Sequence, residues 1–196
     1  NYTVPMVGPV IVQAVILFGV SVALGNWLVV NRRERWMAAV MRHPVRRGLA
    51  MFLTFWLIAF AWFLYMQGFD FSIGEYGAMA NPQATFLVAL TFTAAVSALA
   101  MALATLTGAG WTAPLTVSLS APSLFISGAV WPLENMSPVV QGLAQLLPST
   151  VGIPASAAAA QAGAATADVL PACVEMILLP VMYLGVACIR IKNQAK

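Results

Sequence analysis

The sequence predicts an all-α membrane protein: five transmembrane helices, a short cytoplasmic helix and an outer re-entrant helical hairpin. Of its 196 residues, 61% are hydrophobic and 8% are charged, which is outside the range of soluble proteins. Three uncharged stretches run for 31, 22 and 58 residues, whereas about 20 apolar residues suffice to cross a bilayer. All nine Lys and Arg residues fall in two segments, as expected when basic residues mark one side of a membrane.

Composition also excludes several classes of protein. A soluble enzyme or a nucleic-acid binder is incompatible with this hydropathy, and the isoelectric point near 9.2 reflects a net charge of only +3. The two cysteines, Cys173 and Cys188, lie about 22 Å apart if their segment is helical, too far to bond to each other. A disulfide scaffold is therefore excluded as well.

Each uncharged stretch is assigned to one or two spans. The run from Val4 to Val30 supplies the first span, and a second run ends at the acidic pair Asp70 and Glu75. The 58-residue run would form a helix of about 87 Å, so it must break, and the Gly108-Ala109-Gly110 segment favours a tight turn in its middle. Pro114 is then expected in the first turn of the fourth span. The predicted spans are 7–29, 48–67, 84–106, 112–130 and 169–189.

Residues 131–165 are interrupted by proline and glycine too often to form a full span. They favour two half-length helices, 138–147 and 155–165, separated by Pro148-Ser149-Thr150. Such a pair forms a re-entrant or interfacial hairpin that returns to the side it left, provided that its free backbone groups are satisfied.

Residues 31–47 hold six of the nine basic residues and are predicted to form a cytoplasmic loop. Basic and apolar positions alternate over 32–43, which favours a short amphipathic helix ended by Pro44. From the residues alone, the loop either only orients the chain or also docks a cytoplasmic partner.

Sidedness follows from five crossings. The loop 31–47 and the basic tail then share the cytoplasmic side, while Asp70, Glu75, Glu134 and Asp168 collect outside. The N-terminus of the chain is expected outside and its C-terminus in the cytoplasm. We expect 1–196 to be a single transmembrane domain of a longer protein that lacks an upstream span here, with or without an external domain.

Few residues suggest chemistry. The chain has no Gly-rich phosphate loop, and its one histidine, His43, has no neighbouring metal ligands in sequence, so neither catalysis nor a metal site is expected. Glu175 is a carboxylate inside the apolar fifth span and is a candidate intramembrane polar site. Its position near the end of the span favours pairing with groups at the interface, and the alternative is a place on a transport path.

The segment from Phe125 to Pro138, which reads Phe-Ile-Ser-Gly-Ala-Val-Trp-Pro-Leu-Glu-Asn-Met-Ser-Pro, and the later Leu146-Leu147-Pro148-Ser149-Thr150 resemble the permease subunits of ABC-2 type transporters. The resemblance covers nearly the whole chain as the last five of six spans. It implies an outer gate hairpin that includes Gly128, Pro132, Met136, Pro138 and Pro148.

The same resemblance implies a cytoplasmic coupling helix, within 32–43, that contacts a separate ATP-binding cassette ATPase. Its residues would be Arg32, Arg33, Glu34, Arg35, Trp36 and Arg42. ATP and Mg would bind the ATPase and not this chain. Many exporters carry two acidic residues and a Gly-Thr pair in this loop, whereas here only Glu34 is acidic and Trp36-Met37 replaces Gly-Thr.

We therefore expect a permease subunit of an ATP-driven exporter in a bacterial inner membrane. Its partners would be the ATPase, a second identical or related permease, membrane lipid and a periplasmic adaptor, with no nucleic acid. The alternatives are a non-transporting membrane scaffold or sensor and an ion-coupled secondary carrier that uses Glu175. The sequence leaves the substrate open.

Overall fold

Helices make up all the regular structure in the part of the chain that the computed structural model describes, residues 4–30, 44–73, 79–107, 109–128 and 130–194. The all-α fold class is therefore confirmed for these ranges. A 3-10 turn, Leu133–Asn135, lies between the fourth and fifth helices. In chain order the α-helices are α1 Val4–Val30, α2 Pro44–Ile73, α3 Pro82–Thr107, α4 Ala109–Ile126, α5 Pro138–Ala144, α6 Pro148–Ala160 and α7 Thr166–Gln194.

Within the described residues, three helices are long and apolar enough to cross a membrane. They contain the segments Gly48–Gly68, Pro82–Thr107 and Thr166–Arg190, with mean hydropathies of 2.0 to 2.2. Large apolar side chains on α2 and α7 point away from the bundle, for example Ile58 at 64% exposure and Val181 at 68%. Such surfaces suit lipid and not water, so the chain is a membrane protein. Shorter apolar segments, Gly8–Leu24 and Pro114–Ile126, lie in α1 and α4.

α3 is the central helix of the bundle. It packs against α1, α2, α4, α6 and α7, and most of its side chains are buried. Small residues permit this close approach of several helices, because their backbones can come near one another. Ser97, Ala98 and Ala102 of α3 are buried, and Ala94 on the same face is partly buried.

The break in the longest uncharged run occurs as predicted, since α3 ends at Thr107 and α4 begins at Ala109. The predicted place of Pro114 is wrong. Gly110 continues the helix instead of ending the turn, so Pro114 is the sixth residue of α4 and not part of its first turn. Its ring therefore removes a backbone hydrogen bond, as does Pro122 further along the same helix.

The predicted loop 31–47 is too long at its C-terminal end. Pro44 opens α2, where its fixed φ favours the helix and its missing N–H is not needed. The remaining residues of the loop, including every residue predicted for the coupling helix, lie outside the described residues.

Polar side chains join specific helix pairs inside the bundle. The Gln13 amide of α1 donates to the Ser123 hydroxyl of α4 over 3.0 Å. The Ser21 hydroxyl donates to the carbonyl of Ala100, and the Trp56 indole N–H donates to the carbonyl of Leu90. In a membrane such bonds contribute about 0.6 kcal/mol each, so their main effect is to select which faces pair.

Candidate functional site: a helical hairpin and the groove beside it

The hairpin begins at a left-handed turn. Gly128 has φ +83°, and a Cβ at this position would lie 3.2 Å from the Leu133 side chain, so both backbone conformation and space favour glycine. Pro132 precedes the 3-10 turn, and the N–H of Met136 closes that turn by donating to the carbonyl of Leu133. These residues redirect the chain after α4.

The first helix of the hairpin, α5, is capped by its own sequence. Ser137 is the N-cap, with its hydroxyl accepting from the N–H of Val140, and Pro138 occupies the favoured first position. The Gln141 amide donates back to the carbonyl of Met136 over 2.9 Å. The predicted first helix, 138–147, is therefore shorter and ends at Ala144.

The bounds predicted for the second helix, 155–165, are wrong. α6 begins at Pro148 and ends at Ala160, so the segment Pro148-Ser149-Thr150 is its first turn and not a separator. The helix begins at Pro148 for two local reasons. Proline is well suited to the first helical position, and the Thr150 hydroxyl donates a hydrogen bond to the carbonyl of Ala144 across the turn. Gly163, at φ +67°, follows the end of the helix.

α6 is packed into the bundle and does not lie on its surface. It contacts α1, α3, α4 and α7, and Ser149, Ile153 and Ala159 are fully buried. Gly152 lies against the ring of Phe92 so closely that no Cβ could be accommodated without a shift of the ring. The Ser156 hydroxyl accepts from the Gln67 amide of α2 over 3.1 Å.

The two ends of α6 are fixed at different levels of the bundle. At its start, the Tyr183 hydroxyl of α7 donates to the carbonyl of Leu146. Tyr183 lies about 25 Å along α7 from Thr166. At its end, the N–H of Ala80 donates to the carbonyl of Ala160 over 3.0 Å, next to the start of α3. α6 therefore runs from the interior of the bundle to the end at which α3 begins.

The Asn81 side chain joins the end of the hairpin to α3. Its Nδ2 donates to the carbonyl of Ala164 over 2.9 Å, and its Oδ1 accepts from the N–H of Ala84 in the first turn of α3. The Asn81 side chain thus caps α3 and also binds the segment that follows α6.

No family model, curated protein or solved structure matches this chain.

A groove of about 440 Å³ lies between the hairpin and α7. Its walls are largely apolar and include Val151, Pro154, Ala155 and Ala172, with Gln145 and Thr150 contributing polar atoms. Two carboxylates of α7, Asp168 and Glu175, also line it. The structure therefore brings the sequence-predicted Glu175 next to the hairpin, in a space of the size that small molecules occupy.

The two carboxylates differ in their surroundings. Asp168 accepts from the N–H of Ala165 over 3.1 Å and so serves as a cap for α7. Glu175 is partly buried, and no hydrogen bond or ion pair joins it to another described residue. Within the groove, Glu175 is thus the carboxylate without a partner among the described residues, while Asp168 keeps its charge and one free oxygen.

Sequence reasoning identified Glu175 but not the residues that share its groove. Gln145, Thr150 and Val151 line the same groove as Glu175 because α6 begins at Pro148 and packs against α7. The seven-residue spacing of Asp168 and Glu175, which places both on one helix face, was the available signal. Among the residues described here, no group of three His, Cys, Asp or Glu could hold a metal, and Cys173 and Cys188 are free thiols.

Proposed function

We propose that this chain is the permease module of an ATP-driven exporter of the ABC-2 type in a bacterial inner membrane. In this proposal five spans, α1, α2, α3, α4 and α7, cross the bilayer, and residues 131–165 enter from the outside and return. The module acts as a pair with a second identical or related permease. A separate ATPase hydrolyses ATP, and a periplasmic adaptor is a further partner.

The observation that carries this proposal is the course of the hairpin. Its breakers, Gly128, Pro132, Pro138 and Pro148, stand at helix starts and turns, and α6 connects the interior of the bundle to the start of α3. A helix of 13 residues is about 20 Å long, too short to cross the hydrocarbon core. These features support a segment that penetrates the membrane and comes back.

Charge distribution supports the proposed sidedness. If the hairpin does not cross, five spans put residues 31–47 and the tail that begins with Arg190 on one side, and with them all nine basic residues of the chain. A crossing hairpin would divide these residues between two compartments, against the positive-inside bias. The proposal therefore puts the N-terminal end of α1 outside and the tail in the cytoplasm.

The proposed mechanism is mechanical. Closure of the ATPase around nucleotide pulls the coupling helix 32–43, the spans attached to it tilt, and the outer hairpin opens the path outward. Hydrogen bonds from Tyr183, Gln67 and Asn81 link the hairpin to α7, α2 and α3, so movement of these helices is passed to the hairpin.

The coupling helix can be tested by charge reversal at Arg33 and Arg35. We expect the double variant R33E/R35E to lose most of its co-purification with the ATPase and of its efflux activity, because the contact with the partner reverses sign. R190E, at the other basic segment, is the control. Unchanged assembly and unchanged transport in R33E/R35E would remove the coupling role.

A second candidate, an ion-coupled secondary carrier, is favoured by the position of Glu175 in the groove. In that case a proton or metal cation gradient would drive uptake or efflux without an ATPase. Transport that persists without ATP and is lost in E175Q would select this candidate over the exporter.

A further inference from the structure

We propose that the groove between α6 and α7 binds a lipophilic organic cation, with its charge held by Glu175 and its apolar body held by the surrounding walls. The observations that support this site concern the groove only, so binding requires neither an ATPase nor transport. The inference goes beyond the exporter proposal, because that proposal names no substrate.

Glu175 places a carboxylate inside an apolar helix. Glu175 lies about 14 Å along α7 from Thr166, well inside the segment that suits the membrane. An ionised carboxylate at such a position is costly unless a cation or hydrogen-bond donors accompany it. The next described basic side chain on α7 is Arg190, about 22 Å further along the helix. A cation supplied from outside the chain would compensate the charge of Glu175.

The rest of the groove is mostly apolar. The Thr150 hydroxyl donates to the carbonyl of Ala144, and one oxygen of Asp168 accepts from the N–H of Ala165. Asp168 is exposed, whereas Glu175 is partly buried, has no partner among the described residues and lies beside the apolar walls. A carboxylate in such a place suits a positive charge on a bulky apolar body better than it suits a sugar.

The groove is open at the surface of the bundle, so a ligand can enter it from outside the chain. Its volume of about 440 Å³ falls in the range of small-molecule sites. Val151, Pro154 and Ala155 of α6 face Val169 and Ala172 of α7, which gives the ligand two apolar walls.

Two ions of matched shape and opposite charge test this site: tetraphenylphosphonium and tetraphenylborate. Their dissociation constants are measured with the purified chain in detergent, for the natural sequence and for E175Q. We expect E175Q to weaken phosphonium binding about tenfold and to leave borate binding unchanged. Because the two ions partition differently into detergent, the change between variants is compared, not the absolute affinities.

Two further variants complete the experiment. E134Q alters an exposed carboxylate outside the groove and is expected to bind both ions like the natural chain. E175D keeps the charge and is expected to bind the phosphonium about as tightly as the natural chain, so it tests the site even if E175Q does not fold. Equal phosphonium affinity in the natural chain and in a folded E175Q, or a tenfold loss of phosphonium affinity in a folded E175D, would overturn the proposal.

Discussion

Gly152 is the residue at which the packing of the hairpin allows least change. Its Cα faces the ring of Phe92, and the space that a Cβ needs is already filled by that ring. Phe92 is itself fully buried and lies edge-on to Phe63, with ring centroids 5.8 Å apart, so it cannot easily move aside. The tight contact between α6 and α3 therefore depends on glycine at this position.

We expect Gly152→Ala to lower the free energy of unfolding by about 1–3 kcal/mol, the usual cost of forcing an extra group into a packed core. The measurement is reversible unfolding of the purified protein in mixed micelles. Gly142→Ala in α5 is the matched control, because nothing lies within 4 Å of the added Cβ. There alanine should be neutral or slightly stabilising, since it favours the helix. Equal stability of the two variants would contradict the packing of α6 against α3.

At the scale of elements, the long helices were easier to predict than the hairpin. Long uncharged runs locate α1, α2, α3, α4 and α7, and within the described residues three of these helices contain a segment long and apolar enough to cross a membrane. The need for a break between α3 and α4 followed from length, and its place followed from the glycine pair. The start of α6 was predicted seven residues too late, because Pro148 is compatible with a separator or with a first helical turn, and the choice depends on contacts made by Thr150 and Tyr183.

Only part of the candidate site could likewise be predicted from the sequence. A lone carboxylate in an apolar helix identifies Glu175 from the sequence. Its groove could not be predicted, because the opposite wall comes from residues about 20 positions away, and their register depends on where α6 begins.

The turn between α5 and α6 is held by one hydrogen bond from α7. We expect Tyr183→Phe to remove this bond to the carbonyl of Leu146 and to lower the free energy of unfolding by about 0.5–1.5 kcal/mol. A cysteine placed at the exposed Gln145, with Cys173 and Cys188 changed to alanine, should then react faster with a maleimide. Met182→Leu, on the outward face of the same helix, is the control. If Tyr183→Phe leaves the labelling rate unchanged, Tyr183 does not hold the turn.

At the scale of the whole molecule, the proposed topology depends on whether the chain crosses the membrane an even or an odd number of times between its two basic segments. The bundle places small and polar residues where α3, α6 and α7 meet, and it leaves apolar faces of α2 and α7 outward, as a membrane requires. The proposed exporter needs more than this: both basic segments must be in the cytoplasm, so that residues 32–43 can reach an ATPase. That requirement holds only if residues 131–165 return to the side from which they came.

Single-cysteine labelling in spheroplasts tests this requirement most directly. In a background with Cys173 and Cys188 changed to alanine, cysteines at Arg35, Glu134 and Lys196 are treated with a membrane-impermeant maleimide before and after permeabilisation. We expect position 134 to react in intact spheroplasts, and positions 35 and 196 to react only once the membrane is opened. Reaction of position 196 from outside while position 35 stays protected would mean that the hairpin crosses the membrane, and it would contradict the five-span topology.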